Sequence, residues 1–305
     1  MGANLRFGEQ MNVRGYDCSI VIKTAYREFD VPYSEETLRE AVSLLVEEAA
    51  IEGDGGCKAL RKMGGVTGCV VTPLTIGAVP HLLYLAFGSM GVPVFVSETR
   101  NVYQYQLNFI VMEDTEPFDL VQNRGKERRL FEACRVTGFE LRLMRGEAVK
   151  LKLDVCGERP PVVYSYSDIL GRESGERFNG DFVTYKINGQ AFKNIYGVTL
   201  VSKKHGGTRT ELWIKRVLNA GSDFPEVIDE FAFTAQLLRD AYEYRHFGMF
   251  RITLKRLVLV SDETNVNSAD AVIGPLRYYV AGAVSAEVFE TNEQVAINSE
   301  QWDEG

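Results

Sequence analysis

The residues of this 305-residue chain that could do chemistry are three histidines, five cysteines and a few short charged groups. His81 falls on an expected helix, His205 in a glycine turn and His246 between aromatic residues. No two of them have the spacing that brings two imidazoles to one metal, and no nucleophile elbow sets a serine or cysteine beside a base. The cysteines, Cys18, Cys57, Cys69, Cys134 and Cys156, are odd in number and never approach the paired spacing of a zinc site, which reads as reduced thiols. Gly53-Asp54-Gly55-Gly56 is glycine-rich like a phosphate cradle. It follows an expected helix instead of a strand, and it lacks both the P-loop lysine and the dinucleotide fingerprint, so it reads as a flexible loop. Glu113, Asp114 and Glu116 cluster before Pro117 and could offer oxygen ligands to a cation, but a solvated loop between strands accounts for them. The expectation is therefore a chain without catalytic residues, metal or cofactor.

Binding chemistry is equally sparse. Tyr103, Tyr105, Tyr242, Tyr244, Tyr278 and Tyr279 could stack on sugars or bases, yet strand spacing makes core or interface packing their default. Arg124, Lys126, Arg128 and Arg129 sit at an expected turn, as a solvated loop or a subunit contact. A net charge of −8 opposes the counterion release that drives nucleic-acid affinity, although an acidic surface would let a phosphate polymer pass without sticking. No apolar run reaches the roughly 18 residues that span a bilayer, and Met1 to Gln10 lack the hydrophobic stretch of a signal peptide. Folding in a cytoplasm is expected.

An apolar fraction of 45% with 25% charged residues is what a globular chain needs, and the length favours two domains. Strict alternation dominates. Tyr103, Tyr105, Leu107, Phe109 and Val111 share one side of a strand, with Gln104, Gln106 and Asn108 on the other. Phe139 to Leu143, a turn through Arg145-Gly146-Glu147, and Val149 to Val155 make a hairpin with one apolar face. Asn188-Gly189 is a two-residue hairpin turn between Phe182–Ile187 and Ala191–Lys203, and strands follow near Glu211–Leu218, Phe250–Val260 and Leu276–Phe289.

Helices are expected over Ser34–Ala50, where Leu38, Val42, Leu45 and Ala49 form a stripe, and over Ala78–Phe87, closed by Gly88 in a left-handed conformation. Over 225–244 both periods fit, and the spacing of Val227, Phe231, Ala235, Leu238 and Tyr242 favours helix. Prolines and glycines at 161–181 mark a linker or projecting loop. That places a first domain at 1–160, a second at 182–290 and an acidic tail at 291–305. Phe131–Cys156 and Phe192–Leu218 echo one another, which suggests duplication.

The run Gly65-Val-Thr-Gly-Cys-Val-Val-Thr-Pro-Leu-Thr, then His81-Leu-Leu-Tyr-Leu-Ala-Phe-Gly88, then Tyr103-Gln-Tyr-Gln-Leu, resembles the tail tube proteins of long-tailed, non-contractile bacteriophages. Gly68, Thr72, Pro73, Leu82, Leu83, Ala86, Gly88 and Tyr103 match that pattern, and Gly138 and Gly157 match the bounds of the family's next hairpin. The helix start differs, with Ile76-Gly77-Ala78 where a proline and aspartate are usual. The resemblance covers residues 60 to 157 well and the second half only by strand order.

It implies a mainly β fold of two tail-tube-like β-sandwich or β-barrel domains in tandem, each with a flanking helix. Subunits of this kind pair sheets edge to edge into rings, here a trimer of two-domain subunits, that stack into a hollow tube. The implied location is the virion tail. The implied partners are further copies, a tape measure and a tail terminator, with DNA only as passing cargo. A carbohydrate- or receptor-binding virion module and the tube of a contractile injection system are the alternatives.

Overall fold

A computed structural model describes residues 18–24, 28–31, 33–47, 58–97, 102–109, 116–124, 127–164, 176–203, 209–217, 224–237, 248–263 and 272–291. In chain order the first elements are β1 (Cys18–Lys23), β2 (Glu28–Val31), β3 (Glu35–Glu36), β4 (Arg39–Glu47) and β5 (Lys58–Pro73). Then come α1 (Val79–Phe87), β6 (Gly88–Met90), β7 (Val94–Ser97), β8 (Val102–Phe109), β9 (Phe118–Arg124) and β10 (Glu127–Met144). β11 (Lys150–Gly157), β12 (Val162–Tyr164), β13 (Val183–Ile187), β14 (Gln190–Phe192) and β15 (Ile195–Lys203) follow. The last are β16 (Arg209–Val217), β17 (Val227–Gln236), β18 (Gly248–Asp262), β19 (Val272–Val280) and β20 (Val284–Thr291).

The protein is mainly β, and its ladders are all antiparallel. One sheet runs β4–β5–β11–β10–β15–β16–β19, with β3 also on β5. A second runs β14–β13–β17–β18–β20–β8, with β6 and β7 side by side along β8. A small third sheet runs β2–β1–β9–β10–β12. Among the described residues no ladder returns to its starting strand, so the sheet system is open.

Two long strands turn the corners, as strands that change sheets do at bulges. β10 serves the small sheet up to Cys134, across a bulge at Glu132 and Ala133, and the first sheet from Arg135 onward. Ala133 itself has φ +53°, and its N–H donates to Asp119 Oδ1 at 2.9 Å, tying the bulge to β9. β18 pairs with β20 over Gly248–Leu254 and with β19 over Leu257–Asp262, pivoting at Arg256, which also has φ +53°.

Alternation then builds the core. Leu151, Leu141, Leu200, Leu212 and Tyr278 stand in one inward row across the first sheet. Tyr185, Phe233, Ile252, Ala286 and Leu107 form the facing row of the second. Each fully buried side chain of this size contributes on the order of 1.5–3 kcal/mol. α1 packs against β6, β8, β10 and β20, and Phe87 joins the sheets, stacked on Phe139 at 5.8 Å and edge-on to Phe109 at 6.1 Å.

The helix at Ala78–Phe87 forms as expected, from Val79 to Phe87. Gly88 has φ +95°, a conformation that costs glycine nothing, and its N–H returns to the Tyr84 carbonyl. The two other helical expectations are corrected. Ser34–Ala50 contains β3 and β4, because pairing with the long β5 outweighs the local helical stripe. Within 225–244, Val227–Gln236 is strand β17, held between β13 and β18, and alternation buries Phe231, Phe233 and Ala235 together. Residues 238–247 lie outside the described residues. Among the described residues α1 is the only α-helix.

The segment 161–181, expected as a linker, contributes β12 and a buried Phe178 that packs edge-on against Phe250 at 5.1 Å. Ladders β10–β15 and β8–β20 cross it, and the buried residues of 1–160 and 182–290 belong to one connected core. An open sheet must cover its apolar face, and here the two halves cover one another. The two echoing hairpins lie side by side in the first sheet, as β11–β10–β15–β16.

The turn at Asn188-Gly189 forms with φ +50° and +80°, the two positive values of a type I′ hairpin. Asn188 Oδ1 accepts from the Glu230 N–H at 3.0 Å, fixing the tip to β17. A Cβ at Gly189 would meet nothing within 4 Å, so any penalty there is purely conformational. Gly189→Val should cost about 1–2 kcal/mol, read as a lower denaturant midpoint with unchanged slope.

Candidate functional site

Among the described residues, those singled out for chemistry do not converge. His81 is buried on α1 with its ring 5.3 Å from Phe29, while His205 and His246 lie outside the described residues. Of the acidic group only Glu116 is described, and its carboxylate accepts from the Tyr84 hydroxyl at 3.2 Å. No group of three His, Cys, Asp or Glu able to hold a metal occurs among the described residues. Gly53–Gly56, Glu113, Asp114, Lys126, Tyr242 and Tyr244 lie outside them. Cys69, Cys134 and Cys156 are free thiols, and burial, then Asp119 and Cys156, pushes the Cys134 thiol up to about 12.

Tyr103, Tyr105 and Tyr278 are core residues, and burial pushes the Tyr278 phenol up to about 12 while its hydroxyl donates to the Pro225 carbonyl at 2.8 Å. Only Tyr279 of the described tyrosines singled out above is exposed, so they build no stacking platform. Arg128 donates to Asn123, whose amide donates to Ser19 at 2.6 Å, which ties this arginine into a buried polar layer instead of a basic patch.

The motif residues are placed structurally. Gly68, Thr72 and Pro73 lie on β5, with Thr72 fully buried. Leu82, Leu83 and Ala86 are fully buried on α1, closed by Gly88, and Tyr103 is buried on β8. Gly138 sits at the β10 bulge and Gly157 ends β11.

What the fold presents outward are strand edges and sheet faces. The second sheet ends at β7 on one side and β14 on the other. Beside β7, Val92 is 67% exposed and Val94 55%. Phe95 is also exposed, tilted on Tyr103 at 5.2 Å. The small sheet ends at β12, where Val162 is 52% and Val163 60% exposed. Consecutive apolar residues open on both faces of an edge strand are what soluble monomers avoid, since such an edge is a template for another chain. The sequence held the signal in two proline-bounded apolar runs, Pro93 to Val96 and Pro161 to Val163. It was overlooked because each run is too short to show a period.

No protein-family model matches the chain, and no curated protein matches it. No helix among the described residues is long and apolar enough to cross a membrane.

A third outward feature was also missed, because its members are far apart in sequence. On the outer face of β16 and β19, Glu211 accepts from Trp213 Nε1 and Arg277 Nη2, both at 3.0 Å, and pairs with Arg209 at 2.6 Å. Arg277 lies 5.2 Å over the Trp213 ring and reaches Glu263 at 3.4 Å. Beyond it Tyr279, Val258 and Val227 form an exposed row across β19, β18 and β17.

Burial opposes ionisation of Glu211, but the hydrogen bonds from Trp213 and Arg277, with the charges of Arg277 and Arg209, hold its pKa below the ordinary glutamate value. A depressed folded pKa gives stability that is present above the unfolded value of about 4.3 and lost as pH falls through the folded one. Glu211→Gln should therefore lower stability by on the order of 1 kcal/mol at neutral pH, with the gap closing in thermal melts as pH falls below about 4.

Proposed function

We propose that the protein is a structural subunit that polymerises with copies of itself, as a tail tube protein of a long-tailed phage does. The observation that carries this is the open sheet system whose edges at β7 and β12 bear exposed valines. Ring closure pairs such edges and stacking covers the remaining surface, which turns a liability into an assembly device. The helix closed by Gly88 between the Pro73 turn and the Tyr103 strand supports the resemblance in the first half. On this reading the ring is a trimer in the virion tail, its other partners are a tape measure and a tail terminator, and DNA is passing cargo.

Sedimentation velocity over a wide concentration range tests the proposal. The weight-average coefficient should climb with concentration as rings and stacks form. A single species of one-chain mass at every concentration would refute it.

A further inference from the structure

The outward faces of the two large sheets differ in kind. On the second sheet, strand alternation sends Gln104, Gln106 and Asn108 of β8, Thr234 of β17, Thr253 of β18 and Ser285 of β20 outward, opposite the buried row. These residues are neighbours in register. Thr253 stands opposite Ser285, and Ser285 opposite Asn108. Most of the charges beside them are neutralised in place, with Lys186 of β13 adding one exposed cation. Lys255 pairs with Glu230, and Arg251 pairs with Glu287 at 3.5 Å. Both Gln104 and Gln106 also donate to Glu287, at 3.3 and 3.1 Å.

On the first sheet the outward positions of β10, β11, β15 and β16 carry Arg142, Lys150, Lys152, Lys203, Arg209 and Lys215. Arg142, Lys152 and Arg209 pair with Glu147, Asp154 and Glu211, and Lys150, Lys203 and Lys215 stand beyond those pairs, an excess of cations in a chain of net charge −8.

A phosphate polymer sliding along a cationic wall exchanges its counterions for lysine and arginine and is held, with an affinity that grows with each contact. A wall of amides and hydroxyls offers hydrogen bonds no better than those of water, and charges that are already paired offer little more. We propose that the outward face of β13, β17, β18, β20 and β8 lines the channel of the assembled tube and lets a hydrated polyanion pass without binding. The assignment rests on the tube reading above. It places the cation-rich face of the first sheet away from the channel.

Site-resolved cysteine labelling tests it. Thr253→Cys, and Asn108→Cys as a second position on the same face, are assembled and treated either with a small maleimide or with a polyethylene glycol maleimide too bulky to enter the channel. Peptide mass spectrometry then separates each new site from the native cysteines. In unassembled subunits both reagents should modify both positions. In tubes the small reagent should still react, while labelling by the bulky one should be lost, and Lys203→Cys should not show that pattern. Two results would overturn the assignment while leaving the tube intact: undiminished labelling by the bulky reagent in tubes, or protection from both reagents, which marks a subunit interface. Failure of the unsubstituted protein to form any tube overturns the tube reading and the channel face with it.

Discussion

Replacing Val92 and Val94 together by lysine should leave the subunit folded and deprive it of its polymers. Both side chains are more than half exposed, so the subunit gives up little packing when they change, and surface substitutions of this kind move stability by only about 0.5 kcal/mol. Lysine on an edge strand is the device by which sheet proteins prevent edge pairing, because a neighbour would have to bury the ammonium. The concentration needed for polymer should rise by about tenfold or more, the equivalent of 1.4 kcal/mol at each contact. Val162→Lys with Val163→Lys applies the same test at β12. Light scattering reads the polymer and a thermal melt reads the fold. Normal polymerisation by both double variants would show that these edges take no part in assembly.

The second large effect lies inside. Phe87→Ala should remove about 3–5 kcal/mol, a large share of the roughly 5–15 kcal/mol that keeps a domain folded. Phe87 is fully buried and touches rings from both sheets, Phe139 on β10 and Phe109 on β8, so its loss leaves a cavity that neither sheet can close alone. The melting temperature should fall by roughly 6–20 °C. Phe87→Leu, which keeps most of the volume, should recover more than half of that. An unchanged melt for Phe87→Ala would mean that α1 is not the bridge between the sheets.

Alternation made most of this fold legible before any coordinates, because a half-buried strand writes its two faces directly into the chain. Tyr103, Tyr105 and Leu107 face the core while Gln106 and Asn108 are exposed, and the Asn188-Gly189 turn declares its geometry in two residues. The helix at Val79–Phe87 was legible from its glycine cap. Arg39–Glu47 was not, since a run such as Val42-Ser-Leu-Leu-Val fits either period and only the presence of β5 decides it. The same holds at Val227–Gln236, where strands on both sides override a helical stripe. The continuity of the two halves was hidden for a related reason. The pairing of β8 with β20 joins residues nearly two hundred positions apart, such as Tyr105 and Val288, and no local pattern announces so distant a partner. The exposed edges were hidden by their brevity, and the Glu211 network by the distance between Trp213 and Arg277.

Negative-stain electron microscopy of the purified, concentrated protein is the most direct measurement. Self-assembly through open sheet edges predicts hollow tubes of uniform diameter built from stacked rings. A field of dispersed single subunits, unchanged at the highest attainable concentration, would contradict it.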